Sequence, residues 1–303
     1  MPVWALYALV VAIWGSSWYG IEQQIGVVAP QVSLAYRFAL SAAILIGYCF
    51  LTRRRLRFPL PAWGLMAAQG LFLFCGNYIL FYFASVHLVS GLMAVCFSTI
   101  SLMNIVNLSL LFRQQVDRRA LLAALIGLSG LGLVFYPELT AGDLGVAPGL
   151  GLGLSLLATY LASLGNMVSV RLKALEIPVI ESNTIGMSFG ALFCVAAALT
   201  AGAPFIYDFR PAYTVSLIGL ALFATVIGFG CYLSLVQRIG AARAAYATVM
   251  FPVVALTLST WLEDYHWSPL AGAGVALVLA GNLLVLTRRR SPLAVLPKTV
   301  QPT

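Results

Sequence analysis

Stretches of about twenty predominantly apolar residues, the length that crosses the hydrocarbon core of a bilayer, follow one another along almost the whole chain. They fall near residues 3–21, 30–52, 61–84, 88–112, 119–136, 146–172, 178–202, 211–236, 242–262 and 268–287, which predicts ten transmembrane helices. Proline opens several of them, at Pro30, Pro178 and Pro211, where a missing backbone N–H costs nothing. Of the 303 residues 61% are hydrophobic and only 9% are charged. Soluble domains run near 45–50% apolar and about 25% charged. The deficit of charge excludes a soluble globule and sets the class: an all-α polytopic membrane protein.

The few basic residues orient the spans. With ten spans counted, the clusters at 53–57, 113–119, 171–173 and 238–243 and the residues from Arg288 onward share one side. Arg210 stands opposite them and Arg37 lies within a span. Positive loops face the cytoplasm, so both termini are expected there, in a bacterial inner membrane. This clustering accounts for the formal charge of +8 without a nucleic-acid partner. The first run has no basic leader before it and no clear small-x-small cleavage site after it, and is expected to be kept as a span. Five scattered cysteines within apolar runs, with no Cys-x-x-Cys pair, read as small packing residues. Residues 291–303, with three prolines and no periodicity, read as a disordered cytoplasmic tail.

The chain also repeats itself. Gly76-Asn77-Tyr78 matches Gly230-Cys231-Tyr232, and Phe97-Ser98 matches Phe251-Pro252, both at an offset of 154 residues. Pro30 and Pro178 open equivalent runs, and Gly130 matches Gly281. Together these define two five-helix halves, residues 1–145 and 146–290. An odd number of spans per half forces opposite orientations, hence an inverted repeat. Secondary transporters use this architecture, with the substrate site between the halves near the membrane midplane.

Several polar and aromatic residues are unneeded for anchoring. Trp14 and Trp18, four apart, share a face of the first span beside Ser17, and Gly15 would let another backbone approach. Trp14 lies roughly 16 Å in, too deep for an interfacial belt, so cavity lining competes with tight packing and is preferred. Asn77, Tyr78 and Tyr82 form a second such stripe on the third span, and Phe97, Ser98 and Tyr246 are further candidates to touch substrate. Pro252 should bend its helix and free a carbonyl. Arg37 is an intramembrane charge and needs a partner. Two kinds compete: a substrate carboxylate, or structural acceptors such as Glu22 and helix-end carbonyls. Asn104, Asn107, Asn166 and Asn282 read as links between helices.

The segment "WGSSWYGIEQQIGVVAPQVSLAYRFALSAAIL", with Trp14, Gly15, Ser16, Pro30, Arg37 and Phe38, resembles the drug/metabolite transporter superfamily in its ten-helix EamA-type branch. So does "WLEDYHWSPLAGAGVALVLAGNLLVL", with Glu263 and a glycine-rich last span; the likeness extends over roughly residues 3–290. Two positions depart from the pattern. The first half has Arg113 and Gln114 where a glutamate like Glu263 is common, and Ser98 where the second half has Pro252. The resemblance implies export of small organic metabolites, with helices 1–4 and 6–9 around a central cavity and helices 5 and 10 outside. The aromatic first and third spans are most similar to those of amino-acid exporters, including exporters of aromatic amino acids. Because Arg-Phe is shared by members with unlike cargo, the resemblance assigns Arg37 a structural role; Gly15 and Pro252 are read from their own chemistry as structural or gating positions.

What is missing excludes as much. There is no mid-span aspartate, no His-Glu-x-x-His and no Walker-type phosphate loop, which argues against a membrane protease or an ATP-driven pump. No cofactor or metal is expected, and the chain is not expected to be an enzyme. The reading is a secondary exporter of amino acids or related metabolites, whose partners are that solute and the lipid bilayer, with a monomer as the simplest assembly. A multidrug or other metabolite exporter is the alternative within transport, and a non-catalytic scaffold or sensor the alternative outside it. Proton antiport and facilitated diffusion stay equally open, because the nearest carboxylates, Glu22 and Glu263, sit at helix ends.

Overall fold

The computed structural model describes residues 1–113, 118–140, 146–239 and 246–286, and these form helices with no β-strand among them. In chain order the helices are α1 (Val3–Glu22), α2 (Pro30–Leu51), α3 (Leu60–Ala84), α4 (Ser90–Phe112), α5 (Arg118–Thr140), α6 (Val146–Ala174), α7 (Val179–Thr200), α8 (residues 211–239), α9 (Tyr246–Leu262) and α10 (Pro269–Leu286). Seven of them, α1–α4 and α6–α8, are long and apolar enough to cross a membrane. Three shorter apolar helices lie within α5, α9 and α10: Leu121–Pro137, Met250–Leu262 and Pro269–Leu284. Gln114 and the tail from residue 287 lie outside the described residues.

Proline marks the starts as expected. Pro30 and Pro211 occupy the first turns of α2 and α8, and Pro178 stands immediately before α7. Two helices carry a feature with no compositional mark. Gly70–Gly76 in α3 and Leu220–Ile227 in α8 are π-helical, each close to the middle of its helix. A π turn adds a residue to the helical register and re-aims the side chains that follow it, and such bulges cluster at functional positions.

α5 and α10 pack chiefly on each other. A methyl added at Gly130 would fall 2.6 Å from the Gly274 carbonyl, and one at Gly274 would fall 2.6 Å from the Gly130 carbonyl. Gly281 meets Gly127 in the same way, so the two helices run antiparallel with their backbones in contact. The other side of α5 presents Leu121, Leu122, Leu125 and Leu128, all exposed, as suits a surface against acyl chains. α2 lies along α7, joined near one end by Arg54 and Glu181 at 3.1 Å.

Polar links run between helices. Asn107 Nδ2 donates to Ser163 Oγ at 2.8 Å, and Ser163 Oγ donates to Asn104 Oδ1 at 2.8 Å, tying α4 to α6. Each such link contributes about 0.6–2 kcal/mol, so the asparagines act as the inter-helix ties expected of them. In the loop before α8, Asp208 accepts from the Arg210 backbone N–H at 2.9 Å and from Arg210 Nε at 2.6 Å. That N–H and the guanidinium hold the Asp208 carboxyl below its usual range. Arg210, the basic residue set apart from the other loops, is therefore ion-paired.

Candidate functional site

Helix α1 runs through the bundle against α4, α8 and α9, and its two tryptophans enter different aromatic clusters. The Trp14 ring lies 5.2 Å from Phe229, 5.2 Å from Tyr232 and 5.6 Å from Phe251. The Trp18 ring lies 5.0 Å from Phe81 and 5.4 Å from Phe97, which touch each other at 5.9 Å. One face of α1 thus contacts α8 and α9 through Trp14 and α3 and α4 through Trp18. Phe97 and Phe251, equivalent in the sequence repeat, each meet one of the two tryptophans.

Trp14 is held in place from α8. Its Nε1 donates to the Ala224 carbonyl at 2.8 Å, within the π-helical segment. This approach requires Gly228, where a methyl would fall 2.6 Å from Trp14 Nε1. Gly15 answers it on the α9 side: a methyl there would fall 2.6 Å from Val254 Cβ. Gly15 is closely packed, but against the Val254 side chain of α9 and not against another helix's backbone. Ser17 turns back to donate to the Trp14 carbonyl at 2.8 Å, which leaves it half-buried on α1's own backbone.

A second centre surrounds Arg37, which is 3% exposed. Its guanidinium carbon lies 4.6 Å from the Tyr78 ring centre and 5.4 Å from that of Phe38. Cation–π contact of this kind is stronger in a desolvated site. The described residues form two ion pairs, Arg54–Glu181 and Arg210–Asp208, and neither involves Arg37. Its Nε and Nη1 are buried without a hydrogen-bond partner. Tyr82 is fully buried and donates to Gln24 Oε1, while Gln24 Nε2 is buried with no acceptor. Asn77 is 4% exposed and its Oδ1 is also unpartnered. Tyr78 and Tyr82 therefore belong with Arg37, apart from the tryptophans, and α3 presents Phe81 to the one group and the tyrosines to the other.

α4 breaks beside Ser98. The helix stops at Ser98 and restarts at Ile100, with Thr99 between. Ser98 Oγ donates to the Val95 carbonyl at 2.6 Å and Thr99 Oγ1 to the Cys96 carbonyl at 2.7 Å. Hydroxyls that take backbone carbonyls in this way compete with the helix. Pro252 is buried within α9 at the equivalent place. α4 is interrupted at Thr99, whereas α9 runs unbroken from Tyr246 to Leu262 with Pro252 inside it. Tyr246 opens α9, and its side chain lies outside the described residues.

At the end of the bundle beyond Trp18 and Tyr82, a recess of about 440 Å³ is bordered by Tyr19, Glu22, Gln23, Ser85, His87, Val89 and Glu263. Glu263 Oε2 accepts from the Ser90 backbone N–H at 2.9 Å, from Ser90 Oγ at 3.0 Å and from Ser259 Oγ. The carboxylate so caps the start of α4, where the helix dipole favours negative charge. Sequence reasoning missed Gln24, Phe81, Ala224, Gly228 and Phe229. Only Gly228, within Gly-Phe-Gly, carries a local signal, and it marks close packing without naming its neighbour.

The chain matches the model of the EamA-like transporter family twice, over residues 2–136 and 149–287. It is 21% identical to protein PagO of Salmonella typhimurium over 287 residues, covering 95% of this chain and 93% of that one. It is 21% identical to an uncharacterized transporter of Archaeoglobus fulgidus over 299 residues, covering 95% of this chain and all of the other. A protein crystal structure with 18% sequence identity superposes with a TM-score of 0.66, over 92% of this chain and 94% of that one, and so shares its fold. A membrane bundle matched twice by one family model, at nearly full length, has one assignment: this chain belongs to the EamA-like transporter family.

Proposed function

We propose that this transporter is a ten-span secondary carrier that exports amino acids, aromatic and neutral ones included, by alternating access through a cavity between two inverted five-helix halves. The observation that carries the proposal is the aromatic seam on α1. Trp14 meets rings of the second half and Trp18 meets rings of the first. A seam of rings without a fixed anion suits apolar side chains, which gain from stacking as well as from burial.

Three further features support the repeat. The π-helical segments of α3 and α8 fall in corresponding helices, the break at Thr99 and the in-helix Pro252 fall at matching positions of α4 and α9, and α5 packs reciprocally on α10. π turns cluster at functional positions, and the one in α8 holds the seam itself, because Ala224 within it accepts from Trp14. In this reading all ten helices cross the bacterial inner membrane, both termini are cytoplasmic, and the recess at Glu22 and Glu263 opens outward. The test is flux into liposomes holding only the purified protein, without ATP, over a panel of labelled amino acids, nucleosides and lipophilic cations. Saturable flux confined to amino acids is the expected result. Flux of cations or nucleosides alone would redirect the reading to a multidrug or other metabolite carrier, and no flux above empty vesicles would return it to a scaffold.

A further inference from the structure

Among the described residues the Arg37 centre holds three unpartnered hydrogen-bond donors, one unpartnered acceptor, Asn77 Oδ1, and no ion-pair partner for Arg37. Arg37 Nε and Nη1 and Gln24 Nε2 are all buried without partners, on residues 3% and 1% exposed. Tyr82 joins the two: its hydroxyl bonds Gln24 and lies beside the Arg37 guanidinium. The rings of Phe38 and Tyr78 cover the guanidinium, so it is shielded from water without being neutralised. A charge taken out of water without a counter-charge costs several kcal/mol. Glu22, the nearest carboxylate along the sequence, is not paired with it, and its own Oε2 is unpartnered.

We infer that Arg37, with the Gln24 amide, is a binding site for the carboxylate of the transported solute, occupied when the outer end of the bundle opens. The assignment rests on the amino-acid reading above and deepens it. A guanidinium offers two parallel N–H groups to the two oxygens of a carboxylate, and Nε with a terminal nitrogen is such a pair. The geometry allows a route: Tyr82 stands one turn before Ser85, which borders the outer recess. It also divides the labour along α3, whose tyrosines face the Arg37 centre while Phe81 faces Trp18 and Phe97. The solute's charged end and its side chain would lie against neighbouring positions on one face of α3.

The experiment compares labelled phenylalanine with phenylalaninamide, which keeps the ring and amine and lacks the carboxylate. Flux is measured in liposomes for the parent protein, Arg37→Lys, Arg37→Gln and Gln24→Met, with parallel runs in chloride and in methanesulfonate. The parent should prefer the acid at least about tenfold in flux at low concentration, as one charge-assisted hydrogen-bonded pair provides. Arg37→Gln should bring the two within about twofold, Arg37→Lys should keep part of the preference, and Gln24→Met should lower it without abolishing flux. If Arg37→Gln does not insert, the parent's preference and the Gln24→Met variant still decide. Equal flux of acid and amide by the parent overturns this assignment and leaves the transport reading standing. A chloride requirement with no preference for the acid also overturns it, since chloride then fills the site. No flux of either compound overturns the transport reading and this assignment with it.

Discussion

Trp14 and Gly228 form a contact that can be broken from either side, which makes it the sharpest test of the α1 seam. The Trp14 indole reaches the Ala224 carbonyl at 2.8 Å only because residue 228 has no side chain. In Gly228→Ala the new methyl would lie 2.6 Å from Nε1 and 3.1 Å from the Phe223 carbonyl, so the indole must move. Overpacking of this kind costs about 1–3 kcal/mol, and loss of the hydrogen bond adds about 0.5–1.5 kcal/mol. Trp14→Phe removes the N–H and the larger ring together, keeps an aromatic group near Phe229 and Phe251, and opens space at residue 228. Alone it should cost little more than the hydrogen bond. In the double variant the methyl meets no indole, so the two losses should not add; the interaction term should reach about 1–2 kcal/mol in favour of the pair, within the range for residues in contact. The assay is the folded fraction of detergent-purified protein against temperature for the four proteins, together with flux at matched protein per vesicle. Losses that add to within about 0.5 kcal/mol would mean Trp14 and Gly228 do not touch, and the seam described above would be wrong.

Other expectations follow from the same geometry. Trp18→Ala should raise the half-saturation concentration for aromatic cargo by roughly two- to tenfold, from about 0.5–1.5 kcal/mol per lost ring pair, and more than for alanine or serine; equal losses would make this ring packing alone. Gly15→Leu, pressed against Val254, should stop flux while the protein still inserts and folds, and normal flux would deny α1 a moving part. Ser98→Pro, which gives α4 the residue its counterpart α9 already has, should keep more than half the parent flux because the helix is already broken there, whereas Met93→Pro, inside the preceding helical run, should abolish it. In a cysteine-free background an impermeant thiol reagent applied to whole cells should label a cysteine at position 141 and spare one at position 55; the reverse would sink the proposed orientation and with it the inverted repeat.

The helices were legible because apolar length and opening prolines are direct physical signals, and the starts at Pro30 and Pro211 stand where those signals fall. Gly15 was legible as a close contact because a missing side chain between two tryptophans has few other uses in a membrane helix. The identity of its neighbour, Val254, depends on how α1 crosses α9 and has no local trace. The π segments escaped for a similar reason. Leu220–Ile227 has the composition of any apolar run, and its register shift shows only in the backbone. The stripe of Asn77, Tyr78 and Tyr82 was legible from helical spacing, but its neighbour Arg37 depends on how α3 packs against α2 and has no local trace either. Ser98 read as a departure from the repeat because proline is the familiar interrupter. A serine and a threonine that both bond back to their own helix accompany the break in α4, while the proline-bearing α9 stays continuous. Gln24 was not singled out because it follows the end of α1, in a turn whose partners are chosen by the fold.

The central claim, a carrier that alternates between two faces, is tested most directly by counterflow. Purified protein in liposomes is preloaded with unlabelled phenylalanine and diluted into a trace of the labelled compound, without ATP or an imposed ion gradient. A carrier with one alternating site should accumulate label transiently above its outside concentration, because unlabelled cargo leaving returns the site outward for each labelled molecule entering. Label that fills preloaded and empty vesicles with the same monotonic course, never exceeding the outside concentration, would contradict alternating access across the α1 seam.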